Sequence, residues 1–446
     1  MAGLKIVREV SFRLDRPAEP GCGRYNDDVE DQPHFGQRTD RAEYFLEQVA
    51  TQPLISECVY RSPQRTDKTQ KEVVDLLLAL QGRAILISLK CQQESGSRSV
   101  EKEALWVVKA ARRAASQIKG ALRTLKAGPV WCVHPRRGRV QFVPGELFPI
   151  HGVVLVETLE PIALPPELPL HQDGVPTSYM SVNDFHNVVR ELRTIPEIEA
   201  YLDARRALPL DALRLVGQEK PLYEYYLLHE ETFSGCLGQD DARLISSARA
   251  CELRGALERK AERDVYAGLV ERVADCLAER SPQYMEGVGQ GYQAHFDSSG
   301  ARKSYLRMQE ELCNLPLAAR ALLGRRFAGL IDEAERAEPS TMTYASVLDD
   351  GKPDFVYVLA SARGESRTEL LERARTLLLG SMAFYGRCRG MAIVDRDSVG
   401  FEVVLVDVRR HSIAAFHYGD QHFGRLRTDH VPATLVPRSS GHNTEG

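Results

Sequence analysis

The sequence predicts an α/β protein in three parts: an N-terminal mixed sheet flanked by helices, a mainly helical middle, and a smaller C-terminal α/β region. Three observations carry that expectation. Two apolar runs, 76–80 and 84–89, are separated only by a tight Gln81-Gly82-Arg83 turn and read as a hairpin. The stretch from 100 to 126 places Ala110, Ala114, Ile118 and Leu122 at helical spacing. Residues 177–335 are amphipathic and rich in Leu, Ala, Arg and Glu, after which 353–410 return to apolar runs of strand length around one helical segment.

Taken in order, a strand is expected over 4–14, a Gly/Pro/Asp-rich loop over 16–37, and a helix over 41–51 with Thr39-Asp40 as its cap. The hairpin occupies 72–91, with Asp75 at the start of its first strand. A polar loop over 92–99 leads into the helix, and strands follow at 130–134, 140–143 and 152–157. Five prolines between Pro161 and Pro176 read as a first linker, and 340–351 as a second. Beyond it come a strand at 355–360, a helix at 368–385 and strands at 391–395 and 401–408. The expected limits are a 1–39 extension, a 40–160 sheet domain, a 177–338 helical domain, a 352–410 α/β domain and a polar 411–446 tail. The order strand, helix, strand over 355–395 echoes 85–133, with Ala360-Ser361-Ala362 where the first has Ser88-Leu89-Lys90. A duplication accounts for that, and so does the ordinary likeness of any two βαβ units.

The chain has 446 residues, 43% hydrophobic and 27% charged, which is the composition of a globular protein with room for more than one core. Its formal charge of −4 excludes a uniformly basic nucleic-acid binder. The charge is uneven, however: from Arg98 to Arg139 there are eleven Lys/Arg against two acids, Glu101 and Glu103. A basic face of that kind suits a polyphosphate backbone. Nine cysteines are scattered with no Cys-x-x-Cys pair, which argues against zinc and for reduced thiols in the cytoplasm. The start of the chain has no apolar run of signal-peptide type, and no stretch approaches eighteen apolar residues, so no membrane span is expected.

The residues that point to chemistry lie around the hairpin. Asp75 leads the first strand, and Ser88 and Lys90 project from one side of the second because strand side chains alternate. Glu43 and Glu72 are further carboxylates near enough in sequence to join Asp75 on a metal ion. Gln117 shares a helix stripe with Arg113 and Lys109. Carboxylates that hold Mg2+ or Mn2+, with a lysine beside them, are what phosphodiester hydrolysis needs. Lys109, Arg112, Arg113, Lys119, Arg136 and Arg137 are the candidate contacts to a nucleic-acid backbone. Each has a plainer role as well: Asp75 as a turn cap, Lys90 as a solvated strand end, Glu43 and Gln117 as polar helix positions, Glu72 as a partner of Lys71 or Lys68, and the basic helix as a solvated face. Trp106 and Trp131 read as core residues, and His417 and His422 are too isolated to be ligands.

From Glu43 to about Val143 the chain resembles the PD-(D/E)XK, or restriction-endonuclease-like, nuclease superfamily. In its usual form an acid leads the second half of the motif; here that position is Ser88, a weak neutral ligand. The chain is also similar to a group of uncharacterised bacterial proteins. The shared features are Lys71–Leu77, the Ser88-Leu89-Lys90 strand end, Arg112–Ala114, Gln117, Gly120-Ala121, and the segment Arg190–Glu197 with Tyr201-Leu202. In that group serine at the acid position is usual. The resemblance implies a restriction-endonuclease-like sheet, Asp75, Ser88, Lys90 and Gln117 as catalytic residues, Asp75 with Glu43 or Glu72 as ligands of Mg2+ or Mn2+, and DNA as substrate. By analogy it also implies an antiviral defence role. Two readings stay open: a metal-dependent DNA endonuclease, or a catalytically inactive nuclease-like scaffold in a defence or DNA-processing complex. A protein partner or a homo-oligomer fits either.

Overall fold

The hairpin turn is built as its sequence demands. Strand β2 (Leu76–Leu80) and strand β3 (Arg83–Lys90) are joined by Gln81 and Gly82 alone, both at positive φ (51° and 84°). A two-residue loop with both residues left-handed matches the right-handed twist of the strands it joins, and glycine takes that conformation without strain. The computed structural model describes residues 53–66, 71–92, 99–134, 138–158, 160–279, 307–338, 341–348, 354–364, 366–396, 400–407 and 412–415. The strand expected over 4–14, the helix over 41–51 with Glu43, and Arg136 and Arg137 lie outside these residues.

The described residues divide into two units, the first taking residues up to 265 together with 310–317, the second the remainder. The first unit opens with the single turn α1 (Pro53–Ser56) and β1 (Val59–Arg65). After the hairpin come helix α2 (Val100–Ala127), β4 (Val130–His134), β5 (Gly138–Phe142), β6 (Phe148–Val156), β7 (Ile162–Ala163), β8 (His171–Gln172) and β9 (Val175–Ser181). Among the described residues, eight of these strands form one mixed sheet in the order β5-β4-β1-β2-β3-β6-β9-β8. Strands β1, β2 and β3 run as an antiparallel meander; β3, β6 and β9 are parallel. The parallel partner of β3 is therefore β6, not the strand directly after the helix, so the echo between 85–133 and 355–395 holds for the order of elements and not for their pairing.

Helix α2 covers one face of this sheet. Its buried residues Ala110, Ala114 and Ile118 pack with Leu77, Leu86, Val154 and Val156 in one core. Leu78, Ile85, Ile87, Val153 and Leu155 are buried on the opposite face, so the central strands are apolar throughout, as strands covered on both sides must be. Helix and sheet approach closely at Gly152, where a Cβ would lie 3.0 Å from Ile118 Cγ2.

Several strands depart from the sequence reading, among them Met342–Leu348 in the expected second linker and Ser412–Ala415 in the expected tail. Strand β1 carries Pro63 and a register shift between Arg61 and Gln64, which weaken its pattern; its pairing with both β2 and β4 makes it a strand. Strand β9 begins inside the proline-rich stretch expected to be a linker and pairs in parallel with β6, so the sheet continues past residue 160 to Ser181. The first hairpin strand is also shorter than expected: it begins at Leu76, and Asp75 stands immediately before it.

Past β9 the first unit is mainly helical: α3 (Val182–Leu192), α4 (Ile195–Arg205), the short α5 (Leu210–Leu213), α6 (Glu219–Leu228), α7 (Gln239–Ala248) and α8 (Ala250–Glu279), in which the boundary between units falls. A two-residue strand, β10 (Leu215–Val216), pairs with β7. The Arg190–Glu197 segment is the joint between α3 and α4. Arg193 closes α3 in the left-handed conformation (φ 65°), and the Thr194 hydroxyl accepts from Glu197 N to start α4. The helices meet in a buried polar cluster. Arg205 donates to both oxygens of Glu219, Nε to Oε1 at 2.6 Å and Nη2 to Oε2 at 3.0 Å, and each residue is 1% exposed. The Tyr201 hydroxyl donates to Glu219 Oε1 at 2.8 Å. Asp184 accepts from the backbone N–H groups of Gly217 and Glu219.

Burial, reinforced by the charge of Glu219, pushes the Asp184 carboxyl up to about 6. An acid with a raised folded-state pKa holds its proton more tightly folded than unfolded. Its contribution to stability therefore falls as pH rises from about 4, the ordinary carboxylate value, to about 6, by roughly 3 kcal/mol in all. Burial pushes Glu199 in the same direction, up to about 7, against the opposing charge of Arg83 at 2.8 Å. Urea unfolding at pH 4.5 and pH 7 should show a decline in the wild type that Asp184→Asn reduces; an unchanged decline in that variant would remove Asp184 as its source.

The second unit contains α9 (Leu317–Arg336) from Ala318 on, β11 (Met342–Leu348), β12 (Phe355–Ala362), α10 (Arg367–Phe384), β13 (Arg389–Arg396), β14 (Gly400–Asp407) and β15 (Ser412–Ala415). Its strands form a sheet in the order β11 to β15, with β12 and β13 parallel across α10 and the other pairs antiparallel. Val356, Val358 and Ala360 pack with Leu370, Ala374 and Leu378 of α10. This is the strand, helix, strand, strand order expected over 355–408.

Candidate active site

The site forms where β2 begins and β3 ends, on the face covered by α2. Antiparallel pairing sets Leu76 opposite Ile87. One residue further, Asp75 comes opposite Ser88, and the period of two turns Asp75, Ser88 and Lys90 to the same face as Leu77 and Leu86. Asp75 Oδ2 accepts from Leu89 N at 2.7 Å and lies 3.5 Å from Lys90 Nζ. Lys90 Nζ also donates to Gln117 Oε1 at 2.7 Å, to Leu89 O at 2.8 Å and to Ser88 Oγ at 3.4 Å. Ser88 Oγ donates to the same Gln117 oxygen at 2.9 Å. All four residues named as catalytic from sequence thus meet in one hydrogen-bonded cluster.

Exposure grades across the cluster. Ser88 is fully buried, while the side chains of Asp75 and Lys90 keep 25% and 28% of their surface. The lysine is therefore held from beneath by serine and glutamine and open from above. Among the described residues Asp75 Oδ1 has no hydrogen bond, since the Leu89 amide and Lys90 both use Oδ2. That amide fixes the carboxylate plane; no side-chain identity signals it, so sequence reasoning could not find it.

The other expected residues fall differently. Glu72 is exposed and forms an isolated antiparallel bridge with Gln64 of β1; the hydrogen bonds of the Asp75 cluster do not include it. Lys109, Arg112, Arg113 and Lys119 are exposed along α2. Trp106 and Trp131 are partly buried: Trp106 packs against the sheet core, and the Arg139 guanidinium lies 4.0 Å over the Trp131 ring. Cys58, Cys91, Cys132, Cys236, Cys251, Cys313 and Cys388 are free thiols. Among the described residues no group of three or more His, Cys, Asp or Glu is arranged to hold a metal ion, and no helix is long and apolar enough to cross a membrane.

The donors in the cluster are nevertheless of the kind Mg2+ and Mn2+ take. Both ions prefer oxygen, and Mg2+ is commonly bound by one or two carboxylates together with water and substrate phosphates. The free Oδ1 of Asp75 supplies one such carboxylate oxygen. No protein-family model matches the chain, and no curated protein shows a significant match to it.

Proposed function

We propose that the chain is a metal-dependent endonuclease that hydrolyses DNA phosphodiester bonds, with its first unit built on a restriction-endonuclease-like sheet. The observation that carries this reading is the cluster of Asp75, Ser88, Lys90 and Gln117, drawn from the two ends of one hairpin and the helix that follows it. A meander of β1, β2 and β3, followed by α2 and the parallel β6, supports the fold assignment. The basic excess beside the site supports a phosphate-bearing substrate.

Asp75 would hold Mg2+ or Mn2+ through Oδ1, with Glu43 or Glu72 the candidate second carboxylates. When bound, such an ion lowers the pKa of its water and offsets the charge that develops on the transferring phosphoryl group. Lys90 supplies a fixed positive charge for a phosphate oxygen and orients the attacking water. Gln117 and Ser88 hold the Lys90 ammonium in place, so the geometry is set before substrate arrives. Water attacks phosphorus and gives up a proton to solvent, the bond to the leaving oxygen breaks, and that oxygen takes up a proton from solvent in turn.

The test is cleavage of plasmid and single-stranded DNA with Mg2+ or Mn2+, beside the same protein in excess EDTA. Cutting that appears with metal, disappears with EDTA and is lost in Asp75→Ala is the expected result. Intact DNA under every metal condition would overturn the nuclease reading. It would favour the scaffold role, to which serine at the acid position already lends weight.

A further inference from the structure

Helix α2 presents distinct longitudinal margins. With about 100° between successive residues, its buried arc takes in Ala110, Ala114, Ile118 and Leu122. Gln117 stands at one edge of that arc, where it reaches Ser88 and Lys90. Trp106, Arg113, Lys102 and Lys109 follow at about 20°, 40°, 60° and 80° round the helix from Gln117, turning from that edge onto the adjoining part of the outer face. From Gln117 to Lys102 the edge runs about 22 Å.

The edge is uniformly basic. The acids of α2 are Glu101, on the outer face, and Glu103, buried in the arc. Lys102, Lys109 and Arg113 are exposed, and none of them forms an ion pair among the described residues. Arg123, on the outer face, is by contrast 3.6 Å from Asp173. Between the free cations lies Trp106, half-buried, its inner side packed on the core. Arg112 and Lys119 project from the outer face, away from Gln117.

The geometry points to a single-stranded nucleic acid lying along this edge. Its reactive phosphodiester is at Lys90, and further backbone phosphates meet Arg113, Lys109 and Lys102. Cations interleaved with an aromatic ring form the combination that holds unpaired strands: the charges follow the backbone while an unpaired base stacks on the ring. A duplex keeps its bases stacked on one another and leaves Trp106 without a partner. This inference rests on the proposed nuclease activity and narrows its substrate.

The experiment is binding in EDTA, where no cutting occurs, using the full chain, a fluorescently labelled single-stranded oligodeoxynucleotide and its duplex. Arg113→Ala and Lys109→Ala should each weaken single-strand binding about fivefold and lower the slope of log Kd against log salt by about one. Lys126→Ala, on the far side of the helix, should bind as the wild type does. Trp131→Phe leaves Trp106 as the sole tryptophan of the chain, and its emission should change as the strand saturates the protein. Equal or larger losses in Arg112→Ala and Lys119→Ala, an unmoved Trp106 signal, tighter binding of the duplex, or no binding would each overturn the proposal. A wild type that cuts DNA yet fails these measurements loses only the path. One that binds along the edge but never cuts loses the nuclease reading instead.

Discussion

Lys90→Ala lowers the rate of metal-dependent plasmid cleavage by about 10²- to 10⁴-fold, the usual span for loss of a positioned proton-transfer or charge-stabilising group. Lys90 Nζ is the one atom of the cluster in contact with Asp75, Ser88 and Gln117 together. Without it the carboxylate keeps its bond from Leu89 N, so the fold around Asp75 survives. The thermal midpoint should stay within a few degrees of wild type, because the lysine is partly exposed and its removal opens little buried space. Gln117→Ala should fall between wild type and Lys90→Ala, since it frees the ammonium without removing it. Plasmid nicking followed over time, together with melting curves on the same preparations, reads both quantities. Undiminished cutting by a folded Lys90→Ala protein would remove this cluster from the chemistry.

The largest effect on stability is expected far from that site. Arg205→Met leaves the Glu219 carboxylate buried without its cation and costs about 3–5 kcal/mol. The pair is 1% exposed on each side, and bidentate geometry with a third bond from Tyr201 accounts for its persistence there. Replacing both partners, Arg205→Met with Glu219→Met, should recover much of the loss, because desolvated charges give way to apolar contacts of similar volume. Urea midpoints of the two single variants and the double form a cycle that measures the coupling. A double variant no more stable than Arg205→Met alone would show that packing, not charge, dominates at this position.

Much of the architecture is legible from local pattern. Gln81-Gly82-Arg83 between two apolar runs reads as a tight hairpin turn, which the structure narrows to Gln81 and Gly82, and once that register is set, the period of two brings Asp75, Ser88 and Lys90 to one face. The long run of helix formers after the polar loop gives α2, and the apolar runs around a helical segment after residue 353 give α10 and three strands of the second sheet, while Met342–Leu348 falls in the expected linker. Thr194-Ile195-Pro196-Glu197 starts α4 in the structure, a boundary inside a stretch that the sequence reads only as mainly helical. Strands β1 and β9 escaped this reading because each has a proline and a half-polar pattern, and pairing to neighbours rather than local preference holds them in the sheet.

The sequence by itself therefore determined the hairpin, α2, α10 and the face on which Asp75, Ser88 and Lys90 lie. Only the tertiary structure decided that Gln117 meets them, because the height of α2 along the sheet is set by packing. Ile118 settles against Gly152, the residue beside Leu86 on the neighbouring strand, and its helical neighbour Gln117 is thereby placed level with Ser88 and Lys90. The orientation of the Asp75 carboxylate by a backbone amide and the burial of Arg205 against Glu219 are likewise tertiary outcomes. Spacing along a chain records which side chains share a face; the contacts between faces depend on shapes and distances that no local pattern carries.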